Sequence, residues 1–230
     1  MSFRYRPQMS ELSVDIEAGS VRLQGDLTIP TGASGLVLFA HGSGSGRHSP
    51  RNRFVASELQ RAGLATLLFD LLTEEEGAED EETGLLRFDV MFLATRLLDA
   101  TSWVHTQPET TSLRIGYFGA STGAAAALIA AAKRPSAVSA VVSRGGRPDL
   151  AGSYLEQVVA PTLLIVGSAD HEVLALNQEA FELLGGPRDL ALVPHATHLF
   201  EEPGALEQVA RLASAWFTTY LMPRTLKATG

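Results

Sequence analysis

Three side chains, far apart in the sequence, are of the types that nucleophilic acyl chemistry requires. Ser121 lies in Gly119-Ala120-Ser121-Thr122-Gly123, a Gly-x-Ser-x-Gly pattern. The pattern follows Leu113-Arg114-Ile115-Gly116-Tyr117-Phe118, which reads as a buried strand, and precedes a helical run from Ala124 to Lys133. A serine on a sharp strand-to-helix turn is held in strained backbone geometry with its hydroxyl exposed above a sheet. Glycines beside it let strand and helix approach closely. The Thr122 N–H, at the helix start, then stands where an oxyanion would form. Out of that context the same residues make an ordinary glycine-rich turn.

A serine hydroxyl alone is a poor nucleophile and needs a base and an orienting acid. One known chain order is serine, acid, histidine. Asp170 follows the apolar run Leu163-Leu164-Ile165-Val166 and the loop Gly167-Ser168-Ala169, at the carboxyl end of an expected parallel strand, where such loops face the crevice. It could equally cap the helix after it. Asp149, in Pro148-Asp149-Leu150, is the rival acid, although it reads better as a cap for a short helix. His198 lies in Pro194-His195-Ala196-Thr197-His198-Leu199-Phe200, between the last expected strand and the last helix, and can reach back to the serine. His195 competes with it but sits close to the strand end. His105 reads as a surface histidine and His171 as a pocket neighbour.

The elements that must position these residues follow a clear order. Leu12 to Ile16 and Val21 to Ile29 alternate with period two around Gly19 and read as an antiparallel hairpin. Continuous apolar runs follow at Leu36–Ala40, Leu64–Leu68, Leu113–Phe118, Val138–Val142, Leu163–Val166 and Leu190–Val193, as expected for parallel strands buried on both faces. Helical segments are expected over Pro50–Ala62, Leu85–Val104, Thr122–Arg134, Leu174–Leu184 and Gly204–Leu221, with a short one over Asp149–Gln157. This alternation predicts an α/β fold, a mostly parallel wound sheet of about eight strands with helices on both faces. No linker divides residues 1–230, so one domain is expected.

The formal charge is −8, but Glu74, Glu75, Glu76, Glu79, Asp80, Glu81 and Glu82 supply most of it. These acids make the segment from Leu71 to Gly84 read as a solvated, mobile insertion loop or small lid. No basic face for nucleic acid is expected. The absence of cysteine excludes disulfides and cysteine metal sites. Met1 to Ser10 carries Arg4 and Arg6 with no apolar segment behind them, and the longest apolar run, Ala124 to Ala132, is far short of a membrane span. A soluble, cytoplasmic protein without a cofactor is expected, and the sequence leaves monomer and homodimer both open.

The second half of an oxyanion site is expected from the loop His41-Gly42-Ser43-Gly44-Ser45-Gly46-Arg47-His48-Ser49-Pro50-Arg51-Asn52. This loop lacks the Gly-Lys-Ser/Thr ending of a phosphate-binding Walker loop, and its glycines match a dinucleotide fingerprint only superficially. Arg47, Arg51 and Arg144 fall near the carboxyl edge of the expected sheet. They could bind a substrate carboxylate or phosphate, or anchor loops through Asp70, Asp149 or Glu201.

The chain resembles the α/β-hydrolases, and among them the bacterial dienelactone-hydrolase-like branch. The resemblance rests on the His41–Asn52 loop, on Gly116 to Gly123, on Ser143-Arg144-Gly145-Gly146-Arg147-Pro148-Asp149, and on Ala196-Thr197-His198-Leu199-Phe200-Glu201-Glu202-Pro203. It implies Ser121 as nucleophile, Asp170 as acid, His198 as base, and the Ser43 and Thr122 backbone N–H groups as the oxyanion hole. Authentic dienelactone hydrolases use a cysteine nucleophile, which this chain lacks. A serine hydrolase of small esters, lactones or thioesters is therefore expected, with a small-molecule binding protein of the same fold as the alternative.

Overall fold

The computed structural model describes residues 9–222, so the N-terminal stretch with Arg4 and Arg6 lies outside it. Eight strands form one sheet: β1 (Met9–Ala18), β2 (Val21–Pro30), β3 (Gly35–Ala40), β4 (Ala65–Phe69), β5 (Arg114–Ala120), β6 (Val138–Arg144), β7 (Thr162–Gly167) and β8 (Arg188–Val193). Their spatial order is β1-β2-β4-β3-β5-β6-β7-β8. The hairpin β1–β2 is antiparallel and joins β4 antiparallel, and every later pairing is parallel. The expected hairpin and six parallel strands are therefore present as one mixed sheet.

Six α-helices accompany the sheet: α1 (Pro50–Arg61), α2 (Glu74–Thr83), α3 (Val90–Thr106), α4 (Thr122–Lys133), α5 (His171–Leu183) and α6 (Ala205–Leu221). Short 3-10 segments cover Leu86–Phe88 and Pro148–Gln157. The central strands alternate between two cores. Leu36, Leu38 and Ala40 of β3 face α3 and α4, whereas Val37 and Phe39 face α1 and α6 beside Phe118 and Phe217. Both faces are apolar because both are covered, which is why these strands read as continuous hydrophobic runs. The last run departs from that expectation. β8 pairs only with β7, at the sheet edge, and its Leu192 is 45 % exposed.

The acidic segment also departs from its reading. It is a helix, and local signals explain why. Thr73 accepts the Glu76 N–H while the Glu76 carboxylate takes the Thr73 N–H at 2.9 Å, a reciprocal capping box. Glu74, Glu75 and Glu76 occupy the first turn, where the helix dipole favours negative charge. Gly84 closes the other end in the left-handed region, its N–H on the Asp80 carbonyl. Tertiary ties complete it: Glu76 pairs with Arg96 of α3 at 2.5 Å, and Asp80 with Arg87.

Among the described residues no helix is long and apolar enough to cross a membrane. If the capping box holds α2, Thr73→Ala should cost about 1 kcal/mol, and a melting scan should show a drop of about 2–4 °C for a chain of this size. An unchanged melting temperature would mean that α2 contributes nothing to stability.

Candidate active site

β5 ends at Ala120 and α4 begins at Thr122, so Ser121 alone makes the turn. Its backbone sits at φ 51° and ψ −122°, a region that L-residues avoid. Such a conformation costs about 1–3 kcal/mol and must be held by its surroundings. The Ser121 N–H donates to the Arg144 carbonyl at 3.3 Å, and its own carbonyl accepts from Arg147 N and Ala124 N at 3.1 Å each. Two glycines make the turn possible. A Cβ on Gly119 would lie 2.4 Å from the Ala124 Cα, and one on Gly123 would lie 2.2 Å from the Ala40 carbonyl oxygen. The strand, the helix and the end of β3 thus touch through bare backbone.

Asp170 follows β7 at the start of α5, but its carboxylate does not cap that helix. It accepts instead from His198 Nδ1 at 2.7 Å. The Asp170 side chain is 14 % exposed and that of His198 39 %, so the pair lies at the surface of the carboxyl edge. A carboxylate accepts, so Nδ1 donates in this contact, and Nε2 of His198 takes no part in it. The Ser121 hydroxyl is not hydrogen-bonded to the His198 ring here, and such contacts commonly tighten only around substrate. His195 is on the same loop, but among the described residues its ring has no polar partner, and only its backbone N–H is tied, to Ser168 Oγ at 2.8 Å. Asp149 is engaged elsewhere, by two bonds from Arg147 at 2.9 and 2.8 Å.

On the other side of the turn lies the loop after β3. The Ser43 N–H donates to Thr122 Oγ1 at 3.1 Å, and the two hydroxyls meet at 3.0 Å. His41 anchors this loop, a role its sequence position did not reveal. Its Nδ1–H donates to the Gly42 carbonyl at 3.0 Å, and its Nε2 accepts the Leu71 N–H at 3.0 Å. Burial holds the His41 ring below the ordinary histidine range, against the opposing pull of the Gly42 bond and Asp70. A cleft of about 1050 Å³ opens between this loop and α2, lined by Ser43, Arg47, Asp70, Asp80 and Arg87 among others. Ser121 and His198 stand outside it, and the cleft meets the turn through Gly42 and Ser43.

The arginines near the edge divide. Arg47 pairs with Asp70, and Arg51 with Glu201 at 3.2 Å, so both serve loops. Arg144 pairs with none of the three candidate carboxylates, since Asp70, Glu201 and Asp149 are held by Arg47, Arg51 and Arg147. It is 8 % exposed, its Nε is buried without a partner, and its guanidinium carbon lies 5.8 Å from the centre of the Phe200 ring. Burial, with the charge of Arg51 adding to it, pulls its pKa down to about 10.

Two outcomes follow from these environments. Because His41 is held neutral in the fold, the unfolded chain binds the extra proton, and stability falls as pH drops below the unperturbed histidine value of about 6.5. Melting temperatures between pH 7.5 and 5.5 should therefore fall less in His41→Gln, which keeps an acceptor for Leu71, than in the parent; equal slopes would refute the assignment. A buried cation with no carboxylate or hydrogen-bond partner opposes folding. Arg144→Met should accordingly melt at the same temperature as the parent or higher, and a clear decrease would mean that the contact with the Phe200 ring outweighs the cost of burial.

Comparison with known proteins bears on the fold and the family. The family model for the dienelactone hydrolase family matches residues 24–222. A crystal structure of dienelactone hydrolase from Anabaena variabilis superposes with a TM-score of 0.92 at 60% identity, covering 93% of this chain and 99% of that one. Est1E from Butyrivibrio proteoclasticus shares the fold, with a TM-score of 0.75 at 15% identity over 90% of this chain and 98% of its own. Two curated Mycobacterium tuberculosis proteins, from strains CDC 1551 and H37Rv and each named "Putative phosphoribosyl transferase", are 59% identical over 215 residues. That match covers 94% of this chain but 48% of each relative, so the chain spans about half their length. By family match, sequence identity and superposition, the chain belongs to the dienelactone hydrolase family.

Proposed function

We propose that the chain is a serine hydrolase that cleaves small carboxylic esters, lactones or thioesters through an acyl-enzyme. The observation that carries this reading is the 2.7 Å contact between Asp170 and His198, made across the same sheet edge that holds Ser121 in its strained turn. The transferase name of the mycobacterial relatives belongs to proteins about twice this chain's length, whereas the residues proposed here for acyl transfer all lie within this chain.

The steps follow from the geometry. His198 Nε2 takes the Ser121 proton as the hydroxyl oxygen attacks the acyl carbon. Asp170 fixes the ring tautomer and stabilises the imidazolium that forms. The carbonyl oxygen becomes an oxyanion beside the Thr122 N–H, one of the helix-start amides that lack an intrahelical acceptor, and the Ser43 N–H. Removal of a single donor of this kind costs about 2.7–4 kcal/mol in a studied protease. His198 then protonates the leaving group as its bond to the acyl carbon breaks. Water, deprotonated by His198, attacks the acyl-enzyme and frees Ser121.

A fluorophosphonate probe should label the parent protein and leave Ser121→Ala untouched. Ser121→Ala and His198→Ala should each lower kcat/KM on an activated ester by about 10⁴-fold or more, with the double variant little worse. His195→Ala should retain activity. An unlabelled parent would point to a binding protein of the same fold, and full activity in His198→Ala would overturn the base assignment.

A further inference from the structure

The acidic helix reaches the oxyanion loop by an unbroken series of hydrogen bonds. Asp80, in the last turn of α2, is 2 % exposed despite its charge. Its carboxylate accepts the Leu86 N–H at 2.7 Å, the Arg87 N–H at 3.1 Å and the Arg87 Nε–H at 2.5 Å. The Arg87 guanidinium also donates to the Asp80 backbone carbonyl at 2.5 Å. Burial opposes the charge, but these bonds and the Arg87 cation outweigh it and hold the carboxyl below its ordinary range. The 86–88 turn is thus clamped to the end of α2 on both its backbone and its side chain.

That turn in turn orients Ser43. The Arg87 carbonyl accepts the Ser43 hydroxyl at 3.2 Å. A serine hydroxyl has one proton, so the 3.0 Å contact between the Ser43 and Thr122 hydroxyls must be donated by Thr122. The Thr122 oxygen then has a lone pair for the Ser43 N–H, which reaches it at 3.1 Å. Every hydrogen in the series has one direction, and the last belongs to the Ser43 amide, one of the two donors assigned above to the oxyanion. With the Arg87 carbonyl withdrawn, the Ser43 hydroxyl proton is free to turn to Thr122, and the Thr122 hydroxyl that accepts the Ser43 N–H no longer has a single orientation.

We propose that Asp80 is a positioning residue for the oxyanion hole, acting through Arg87, Ser43 and Thr122. The proposal rests on the serine-hydrolase reading and adds to it a role for the acidic helix. At rest the Thr122 oxygen holds the Ser43 N–H in the direction that an oxyanion will share with it. Asp80 keeps that direction fixed from the far side of the cleft. An electrostatic site of this kind works because its dipoles are set before charge develops, so a loosened series lowers turnover rather than binding.

The test is a double-mutant cycle on ester hydrolysis. Asp80→Asn and Ser43→Ala should each reduce kcat about tenfold with KM nearly unchanged, the size expected for a modest misplacement at a reacting centre. The double variant should be no worse than about tenfold, because both changes cut one series. Multiplication of the two losses to about a hundredfold would overturn the proposal, as would a loss confined to KM. Glu76→Gln, which releases the opposite end of α2 from Arg96, should lower the melting temperature and leave kcat unchanged. A fall in kcat matching that of Asp80→Asn would show that helix stability alone is at work and would also overturn it. If Asp80→Asn does not fold, Arg87→Gln replaces it in the cycle, since it removes the side-chain half of the clamp and keeps the carbonyl. Fluorophosphonate labelling of the parent separates the two levels: no labelling defeats the hydrolase reading itself, whereas labelling with multiplied losses defeats only the role of Asp80.

Discussion

The site depends on one close approach. The end of β5, the first turn of α4 and the last carbonyl of β3 meet with no side chain between them at Gly119 and Gly123. A methyl group at either position would overlap backbone atoms that cannot yield. This contact compresses the turn to one residue, forces Ser121 to a positive φ, and brings Thr122 within reach of Ser43 on the loop after β3. The sheet order makes the same contact useful. β5 lies between β3 and β6, so its turn is flanked by the loop after β3 on one side and by the β6 carbonyl that anchors Ser121 on the other. The acid and the histidine arrive from β7 and β8 further along the same edge.

The features legible in the sequence were those in which backbone geometry dictates residue type. A one-residue turn between buried strand and helix permits only small neighbours, so the glycines around Ser121 identify it. The apolar runs identified the strands because both faces of the sheet are covered. Asp170 was ambiguous, since an acid before a helix serves equally as a cap; only the direction of its carboxylate, toward His198, distinguishes the two.

What the sequence concealed was mostly long-range pairing. Arg144 and Asp149 are near in sequence, but Arg147 is nearer and has the fork geometry to engage both oxygens. The acidic segment departs from its sequence reading for a different reason. Density of like charge suggested a solvated loop, yet the Thr73–Glu76 spacing and Gly84 are local start and stop signals for a helix. The acids at its N-terminus act with the dipole, and one of them, Glu76, together with Asp80 at the other end, meets an arginine from outside the helix. The edge position of β8 was equally invisible, because a run of four apolar residues does not say whether one or both faces are covered.

The strained backbone at Ser121 has an evolutionary consequence. Glycine accepts a positive φ without penalty, so the residue best suited to the conformation at position 121 is one that cannot perform the proposed chemistry. Selection for thermal resilience alone would favour that replacement, and with it the loss of the proposed chemistry. Under the proposed function, the serine would persist only where lineages are also screened for turnover. Any directed-evolution campaign on this scaffold must therefore read out activity and robustness together, because at this position the two pull in opposite directions.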